Sequence, residues 1–425
     1  MLVMSSYPDP LTVALAQMNA TVGDLEGNSR KIAALCERAR AAGAALVVFP
    51  ELALTGYPPE DLLLKTGFLD AAGEALEELA GKTQGIVALV GFPERSDDVY
   101  NAAAVLSGGE VQAVYRKMFL PNYGVFDEQR YFQSGSEPAL IEVDGILVGL
   151  TICEDIWEPG PPATSEALAG AQVIVNLSAS PYHAGKGRER EQMLVQRARD
   201  SLVCIAFCNL VGGQDELVFD GHSVAIDQDG RVLARAPQFE ESLTLCTFDP
   251  TAVAAERLQD ARHRSGVRRL RQGGGSDVAT LARLPVESPR VNGHGPDDGA
   301  PAVGGSLSEP MGDAQEVYSA LTLGLRDYVE KNGFERVVFG LSGGIDSALV
   351  AMLAVDALGS DRVTCVMMPS PYSSQGTRDD ARAIALNLGA AELELGIEPA
   401  MEAFDATLRD AFEGHEPDIA EENLQ

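Results

Sequence analysis

Short apolar runs alternate with amphipathic stretches from residue 11 to about residue 250. LTVALAQM (11–18) has the density of a buried strand, and NSRKIAALCERARAAG (28–43) spaces its apolar residues as a helix that stops at Gly43. ALVVFPE (45–51) is a second buried strand, and further strands are expected at 86–93, 146–153, 171–180, 202–212 and 222–230. Strands alternating with helices predict an α/β domain with largely covered sheets. Such sheets place their chemistry at the carboxyl ends of strands.

The pattern changes after residue 260. HRSGVRRLRQGGGSD is basic and Gly-rich, and ESPRVNGHGPDDGAPAVGGSLSEP is loaded with Pro and Gly. Neither can bury a core, which predicts a linker over 261–312 with room for a short structured insert. The cluster Arg262–Arg271 reads as a solvated part of that linker or as a phosphate contact. Order resumes with a helix over 313–333, a strand over 336–340, the turn LSGGIDS, a helix over 347–359, a strand over 362–370 and a helix over 377–388. The expected division is therefore 1–260, a linker over 261–312, and a second, nucleotide-binding domain over 313–425.

Composition narrows this picture without changing it. A chain of 425 residues with 45% hydrophobic residues can fill two cores. The formal charge of −31, from 32 basic and 63 acidic residues, argues against broad nucleic-acid contact and leaves room only for a local basic pocket. No apolar run approaches the ~20 residues that span a bilayer, and MLVMSSYPDPLTVALAQ lacks a charged leader with an apolar core. Six cysteines in a chain this long read as reduced thiols, so a cytoplasmic protein with a mature N-terminus and no membrane partner is expected.

Three strand ends carry complementary chemistry: Glu51 in VVFPELALTGYPPEDL, Lys117 in YRKMFLPNYGVFDEQRYF and Cys153 in GLTICEDIWEP. Amide cleavage needs a nucleophile, a base to generate the thiolate and positive charge where the oxyanion develops. Singly, each residue is weak support. A strand-end cysteine is most often a buried structural thiol, the reading given to Cys36, Cys204, Cys208, Cys246 and Cys365. A Cys–His pair using His183 or His222 remains an open alternative.

The segments FPELALTGYPPEDL, YRKMFLPNYGVFDEQRYF and LTICEDIWEP, in that order, resemble the nitrilase superfamily of carbon–nitrogen hydrolases over residues 10 to 250. The resemblance implies an αββα sandwich, with Glu51 as general base, Lys117 as oxyanion stabiliser, Cys153 as nucleophile and a thioester intermediate. It also places the Glu154 N–H in the oxyanion hole and makes Glu128 the second glutamate that positions the lysine. Tyr123, Ser180 and Lys186 match positions that hold L-glutamine in the amidotransferase branch, and such groups suit a zwitterion. Tyr123 and Ser180 also admit a plain packing role.

GLSGGIDS (340–347) follows an apolar strand and opens a helix. Glycines there let backbone N–H groups approach a phosphate at a helix N-terminus. No Gly-Lys-Ser/Thr follows, so this is not a Walker A loop. It resembles the pyrophosphate loop of ATP pyrophosphatases, which implies ATP on Gly340, Leu341, Ser342, Gly343, Gly344, Ile345, Asp346 and Ser347. Asp346 is then the implied Mg²⁺ ligand, and MMPSPYSSQGTRDDA (367–381) the second ATP-side segment.

The two halves together resemble the glutamine-dependent NAD⁺ synthetase family. That resemblance implies an incomplete doubly wound, Rossmann-like second domain and a homo-oligomer. The implied reaction uses ATP to adenylate deamido-NAD⁺, which ammonia from glutamine, channelled between the sites, then converts to NAD⁺. Asn423 matches a position that contacts deamido-NAD⁺, and the chain ends at EENLQ (421–425), where synthetases of this type continue. A C-terminally shortened synthetase domain is therefore expected. The alternatives are a nitrilase-type amidase acting on another amide, and an ATP-sensing scaffold with an inactive hydrolase fold.

Overall fold

A computed structural model describes residues 8–272, 278–286, 307–371 and 373–411. The chain divides into two compact units, Met1–Ala320 and Leu321–Gln425, and the dividing point falls inside the helix Asp313–Lys331.

The first unit is built on two sheets. One has six strands in the order Ser242–Phe248, Leu11–Gln17, Leu46–Val48, Val87–Arg95, Val99–Ser107, Glu110–Arg116. The other has seven, in the order Val232–Arg235, Val224–Ile226, Cys204–Asn209, Val173–Ser178, Ile146–Ile152, Ala139–Val143, Ala279–Leu284. Alternation along each strand sends successive side chains to opposite faces. Val13 and Leu15 pack with Val48, Leu89, Val148, Leu150 and Val175 in a core shared by both sheets. Their neighbours Ala14 and Ala16 face the other way, against Ile32 and Cys36 of the helix Leu25–Ala41 and Leu76 of the helix Thr66–Gly81. On the far side, Ile174, Ile205 and Phe207 meet Ala167 of the helix Ala163–Ala169 and Leu194 and Ala198 of the helix Lys186–Ser201. The layers are thus helix, sheet, sheet, helix, the αββα sandwich that the resemblance implied.

The expected strands at 11–18, 86–93, 146–153 and 171–180 form within one or two residues of their expected ends. The run 202–212 is two strands, Cys204–Asn209 and Val211–Gln214, the second turning into a hairpin with Leu217–Asp220. The pattern gives no expectation for Val99–Ser107, Glu110–Arg116 and Ala139–Val143, although the structure contains all three.

The stretch 261–312 differs from a plain linker. It contains the helix Ala261–Gln272 and the strand Ala279–Leu284, which pairs in parallel with Ala139–Val143 at the edge of the seven-stranded sheet. Gly266 lets that helix pack close, since a Cβ there would lie 2.8 Å from the Leu168 side chain. Leu307 bridges Arg235, and the Ser308 N–H donates to the Arg235 carbonyl at 3.1 Å. A chain poor in apolar residues can still be ordered when backbone pairing and basic side chains hold it to an existing edge.

The second unit carries three parallel strands in the order Val337–Gly340, Val363–Met367, Ala391–Glu394. The helices Ile345–Leu358 and Gln375–Leu388 pack on them through Ala351, Ala354, Ala381 and Ala385, beside Val363, Cys365 and Met367. This is a Rossmann-like arrangement, with the Gly340–Ser347 loop at the carboxyl end of its first strand. Among the described residues no helix is long and apolar enough to cross a membrane.

Candidate functional site

Glu51 lies three residues beyond the strand Leu46–Val48, Lys117 directly follows Glu110–Arg116, and Cys153 directly follows Ile146–Ile152. Each is a polar residue at a strand's carboxyl end, and all three are buried. Cys153 adopts φ +43°, a left-handed conformation that L-residues other than Gly, Asn and Asp seldom hold. It begins the one-turn 3-10 helix Cys153–Ile156. Strain of this kind persists only where surrounding contacts over-determine it.

The charged groups form one desolvated cluster. Lys117 Nζ donates to Glu51 Oε1 at 2.6 Å and to Glu128 Oε1 and Oε2 at 2.9 and 2.8 Å. Glu51 Oε1 also accepts from Asn101 Nδ2 at 2.7 Å, and Glu51 Oε2 from the Ala179 N–H at 3.0 Å. The Tyr57 hydroxyl donates to Glu128 Oε1 at 2.9 Å. One ammonium is thus shared by two buried carboxyl groups.

Burial, reinforced by the Glu51 charge and opposed by Lys117, pushes the Cys153 thiol well above its ordinary pKa. Cys153 therefore rests as the thiol. Burial also opposes the charge on Lys117, but the carboxylates of Glu128 and Glu51 outweigh it and hold the ammonium protonated. Burial pushes Glu128 up to about 7 against the pull of Lys117. The groups acting on the thiol include Glu51, Lys117, Ser178 and Glu128, and no histidine is among them. His222 bonds Glu191 through Nε2 at 3.2 Å, while His183 is exposed and contacts the carbonyl of Ala184. The Cys–His alternative finds no support in this geometry.

The three residues matched to glutamine binding each lie beside a different neighbour of the cluster or of the Cys153 turn. The Tyr123 hydroxyl donates to the Glu154 carboxylate at 3.0 Å, next to Cys153, and the residue is 59% exposed. Lys186 Nζ lies 4.1 Å from the centroid of the Trp157 ring, at the end of the Cys153 turn. Ser180 is buried, follows the Ala179 N–H that holds Glu51, and donates its own N–H to Asn209 Oδ1 at 2.9 Å. A cavity of about 580 Å³ borders Tyr57 and Glu128, and Cys153, Glu51 and Lys117 do not line it.

Sequence reading missed Asn101 and Tyr57. Tyr57 sits in the same FPELALTGYPPEDL segment as Glu51, so proximity in the motif was a usable signal. Asn101 lies in an apolar strand with no motif around it, and only strand pairing brings it to Glu51.

In the second unit, the Gly340–Ser347 loop folds on its own hydroxyls. Ser342 Oγ and Ser347 Oγ lie 3.0 Å apart, and the Gly344 N–H donates to Ser342 Oγ at 3.2 Å. Gly343 has φ +87°, and a Cβ there would lie 2.1 Å from the Thr377 carbonyl oxygen, so glycine is required. Gly344 caps the helix Ile345–Leu358, and Asp346 lies exposed in its first turn. Leu341 and Ser342 share a cavity of about 90 Å³ with Met367, Met368, Ser373, Thr377 and Arg378. The loop and the 367–381 segment therefore meet in space. Asn423 lies outside the described residues.

Family models match both regions: carbon–nitrogen hydrolase over residues 12–257 and NAD synthase over residues 317–425. The chain is 44% identical over 429 residues to the glutamine-dependent NAD(+) synthetase of Thermotoga maritima, covering 98% of this chain and 70% of that protein. Its structure resembles the glutamine-dependent NAD⁺ synthetase of Acinetobacter baumannii, solved with adenosine diphosphate, with a TM-score of 0.81 at 34% identity over 98% of this chain and 70% of that one. A nitrilase-superfamily amidase from Nesterenkonia matches at a TM-score of 0.51 and 26% identity, over 62% of this chain and 99% of its own. Nearly the whole chain is thus shared with the synthetases and only its hydrolase part with the amidase, and the chain belongs to the glutamine-dependent NAD(+) synthetase family.

Proposed function

We propose that this chain hydrolyses glutamine at Cys153 and directs the ammonia to ATP-dependent amidation of deamido-NAD⁺. The observation that carries the hydrolytic half is the Lys117 ammonium, held within 2.9 Å of both Glu51 and Glu128 in a buried cluster that acts on the Cys153 thiol.

Glu51 accepts the Cys153 proton as the sulfur attacks the amide carbon, which the high thiol pKa makes dependent on that base. Lys117 Nζ and the Glu154 N–H stabilise the tetrahedral oxyanion. Glu51 returns the proton to the departing nitrogen, releasing ammonia and leaving a thioester. Water, deprotonated by Glu51, resolves it to glutamate and regenerates the thiol. Tyr123, Ser180 and Lys186 hold the amino-acid end of the substrate.

In the second unit, backbone amides and the Ser342 and Ser347 hydroxyls of the Gly340–Ser347 loop hold the ATP phosphates. The substrate carboxylate takes the adenylyl group, pyrophosphate leaves, and ammonia displaces AMP. Among the described residues no three His, Cys, Asp or Glu side chains converge as a metal cage. The exposed Asp346 carboxylate, in the first helical turn after the loop, would hold Mg²⁺, which would supply neutralisation of phosphate charge. Asn423 contacts deamido-NAD⁺, and the working protein is a cytoplasmic homo-oligomer.

The test is product analysis of the purified chain. Glutamate formation from glutamine, exceeding turnover of a panel of other amides, supports the hydrolytic assignment; preference for a different amide defeats it. NAD⁺ formation from deamido-NAD⁺, ATP and glutamine tests the synthetic half separately.

A further inference from the structure

The buried carboxylate of Asp155 has no part in the steps above, yet it touches both turns that carry them. Its Oδ1 accepts the backbone N–H groups of Met118 and Phe119, each at 3.0 Å, directly after Lys117. Its Oδ2 accepts the Ile152 N–H at 2.9 Å, directly before Cys153, and the Tyr115 hydroxyl at 2.8 Å. One oxygen thus serves the end of a strand in the six-stranded sheet. The other serves the end of a strand in the seven-stranded sheet and a tyrosine reaching across.

We infer that Asp155 is a positioning residue for amide hydrolysis, a clamp that fixes the lysine turn against the nucleophile turn across the two sheets. The inference rests on the proposed roles of Lys117 and Cys153. All four partners are donors, so the ionised carboxylate, an acceptor only, satisfies every contact. Burial pushes its pKa up to about 6, while the backbone N–H groups that it accepts pull the other way. A turn residue with a merely local task would need only the Ile152 N–H. The Met118 and Phe119 amides lie 37 and 36 residues away in the chain and follow a strand of the other sheet.

Geometry explains why such a clamp matters. Lys117 Nζ must meet the developing oxyanion while bonded to two carboxylates, and Cys153 holds φ +43°. Shifting either turn by about 1 Å separates donor from oxyanion, a displacement worth on the order of 10²-fold in rate.

Asp155→Asn keeps the shape but turns one oxygen into a donor: with the nitrogen in place of Oδ1 the Met118 and Phe119 contacts are lost, and in place of Oδ2 the Ile152 contact is lost while the Tyr115 hydroxyl turns to accept. The full chain carrying this substitution is compared with wild type for glutamine hydrolysis, thermal unfolding and alkylation of Cys153 by chloroacetamide, followed by mass spectrometry. A fold that melts cooperatively, a KM for glutamine within threefold, a kcat lower by on the order of 10²-fold and slower alkylation of Cys153 is the expected result. Wild-type kcat, or a loss confined to KM, overturns the clamp. If Asp155→Asn does not fold, Tyr115→Phe removes one donor and leaves the backbone contacts: a lower kcat at unchanged KM supports the clamp and a wild-type kcat overturns it. Cys153→Ala is run alongside. Hydrolysis surviving in that variant overturns the underlying assignment and the clamp with it, whereas an inactive Cys153→Ala beside an active Asp155→Asn overturns the clamp alone.

Discussion

The Cys153 turn and the Gly340–Ser347 loop share a local plan: each leaves the carboxyl end of a strand through a residue of positive φ and opens a helical turn. They differ in what surrounds them. Cys153, Glu51 and Lys117 are buried, and the two charged groups are bonded to partners from separate strands and loops. Ser342, Gly344 and Asp346 are exposed, and the loop's hydroxyls bond mainly to one another. The positive φ falls on a cysteine in the first case and on glycine in the second. Covalent catalysis needs a desolvated nucleophile beside a fixed base, so the fold must bear strain and buried charge. Phosphate capture needs backbone N–H groups that a large anion can reach, so glycine and exposure suffice.

The largest effect should come from Cys153→Ala, which removes the nucleophile. Glutamine hydrolysis should fall by on the order of 10⁴-fold or more, while binding of a fluorescent ATP analogue stays at its wild-type affinity. Shared loss of both would mean that the two sites are not independent in the way that their construction suggests.

Lys117→Met should come next. It removes the oxyanion donor, about 3–4 kcal/mol of transition-state stabilisation, and leaves Glu51 and Glu128 as facing buried carboxylates. Breaking a buried ion pair by removing one partner costs about 3–5 kcal/mol, so thermal unfolding should occur at a clearly lower temperature. A kcat within tenfold of wild type would show that the lysine is structural.

Gly343→Ala makes the same demand of the exposed site. Its methyl group would collide with the Thr377 carbonyl, and φ +87° is unfavourable for alanine by about 1–2 kcal/mol. Nucleotide binding, followed by calorimetry, should weaken at least tenfold with glutamine hydrolysis unchanged.

Glu128→Gln should produce the smallest change. Because burial raises this carboxyl to about 7, its negative charge is present above that pH and is lost as pH falls through it. Wild-type kcat/KM for glutamine should therefore decline below pH 7. In the Gln variant that limb should flatten, on top of a roughly tenfold lower plateau for the loss of one charge-assisted partner of Lys117. An unaltered acid limb would assign it to another group.

Much of the candidate site was legible because its residues sit in dense motifs at strand ends. Glu51, Lys117 and Cys153 stood out by the types of chemistry that they offer and took their expected roles from the family resemblance, as did the glycine-rich turn Gly340–Ser347. Other parts were not legible. Asn101 lies in the apolar strand Val99–Ser107, and nothing in its neighbours marks it as the partner of Glu51. The helix Ala261–Gln272 and the strand Ala279–Leu284 looked like linker because the first is mostly arginine and polar residues and the second is largely exposed; the strand is ordered by pairing with an edge that the sequence does not advertise, and the helix by the close approach of Gly266 to Leu168.

By itself, the sequence determined the alternation of strand and helix, the faces that must be buried and the residue types available for amide cleavage. These depend on local spacing and side-chain chemistry, which a linear chain states directly. Only the tertiary structure decided that Glu51 and Glu128 would share one ammonium, that Asn101 and Ala179 would hold the base, and that Asp155 would join two turns from different sheets. Such contacts join residues far apart in the chain, and the register of strands and the stacking of two sheets set them. Those are properties of the whole packed core and of no single segment.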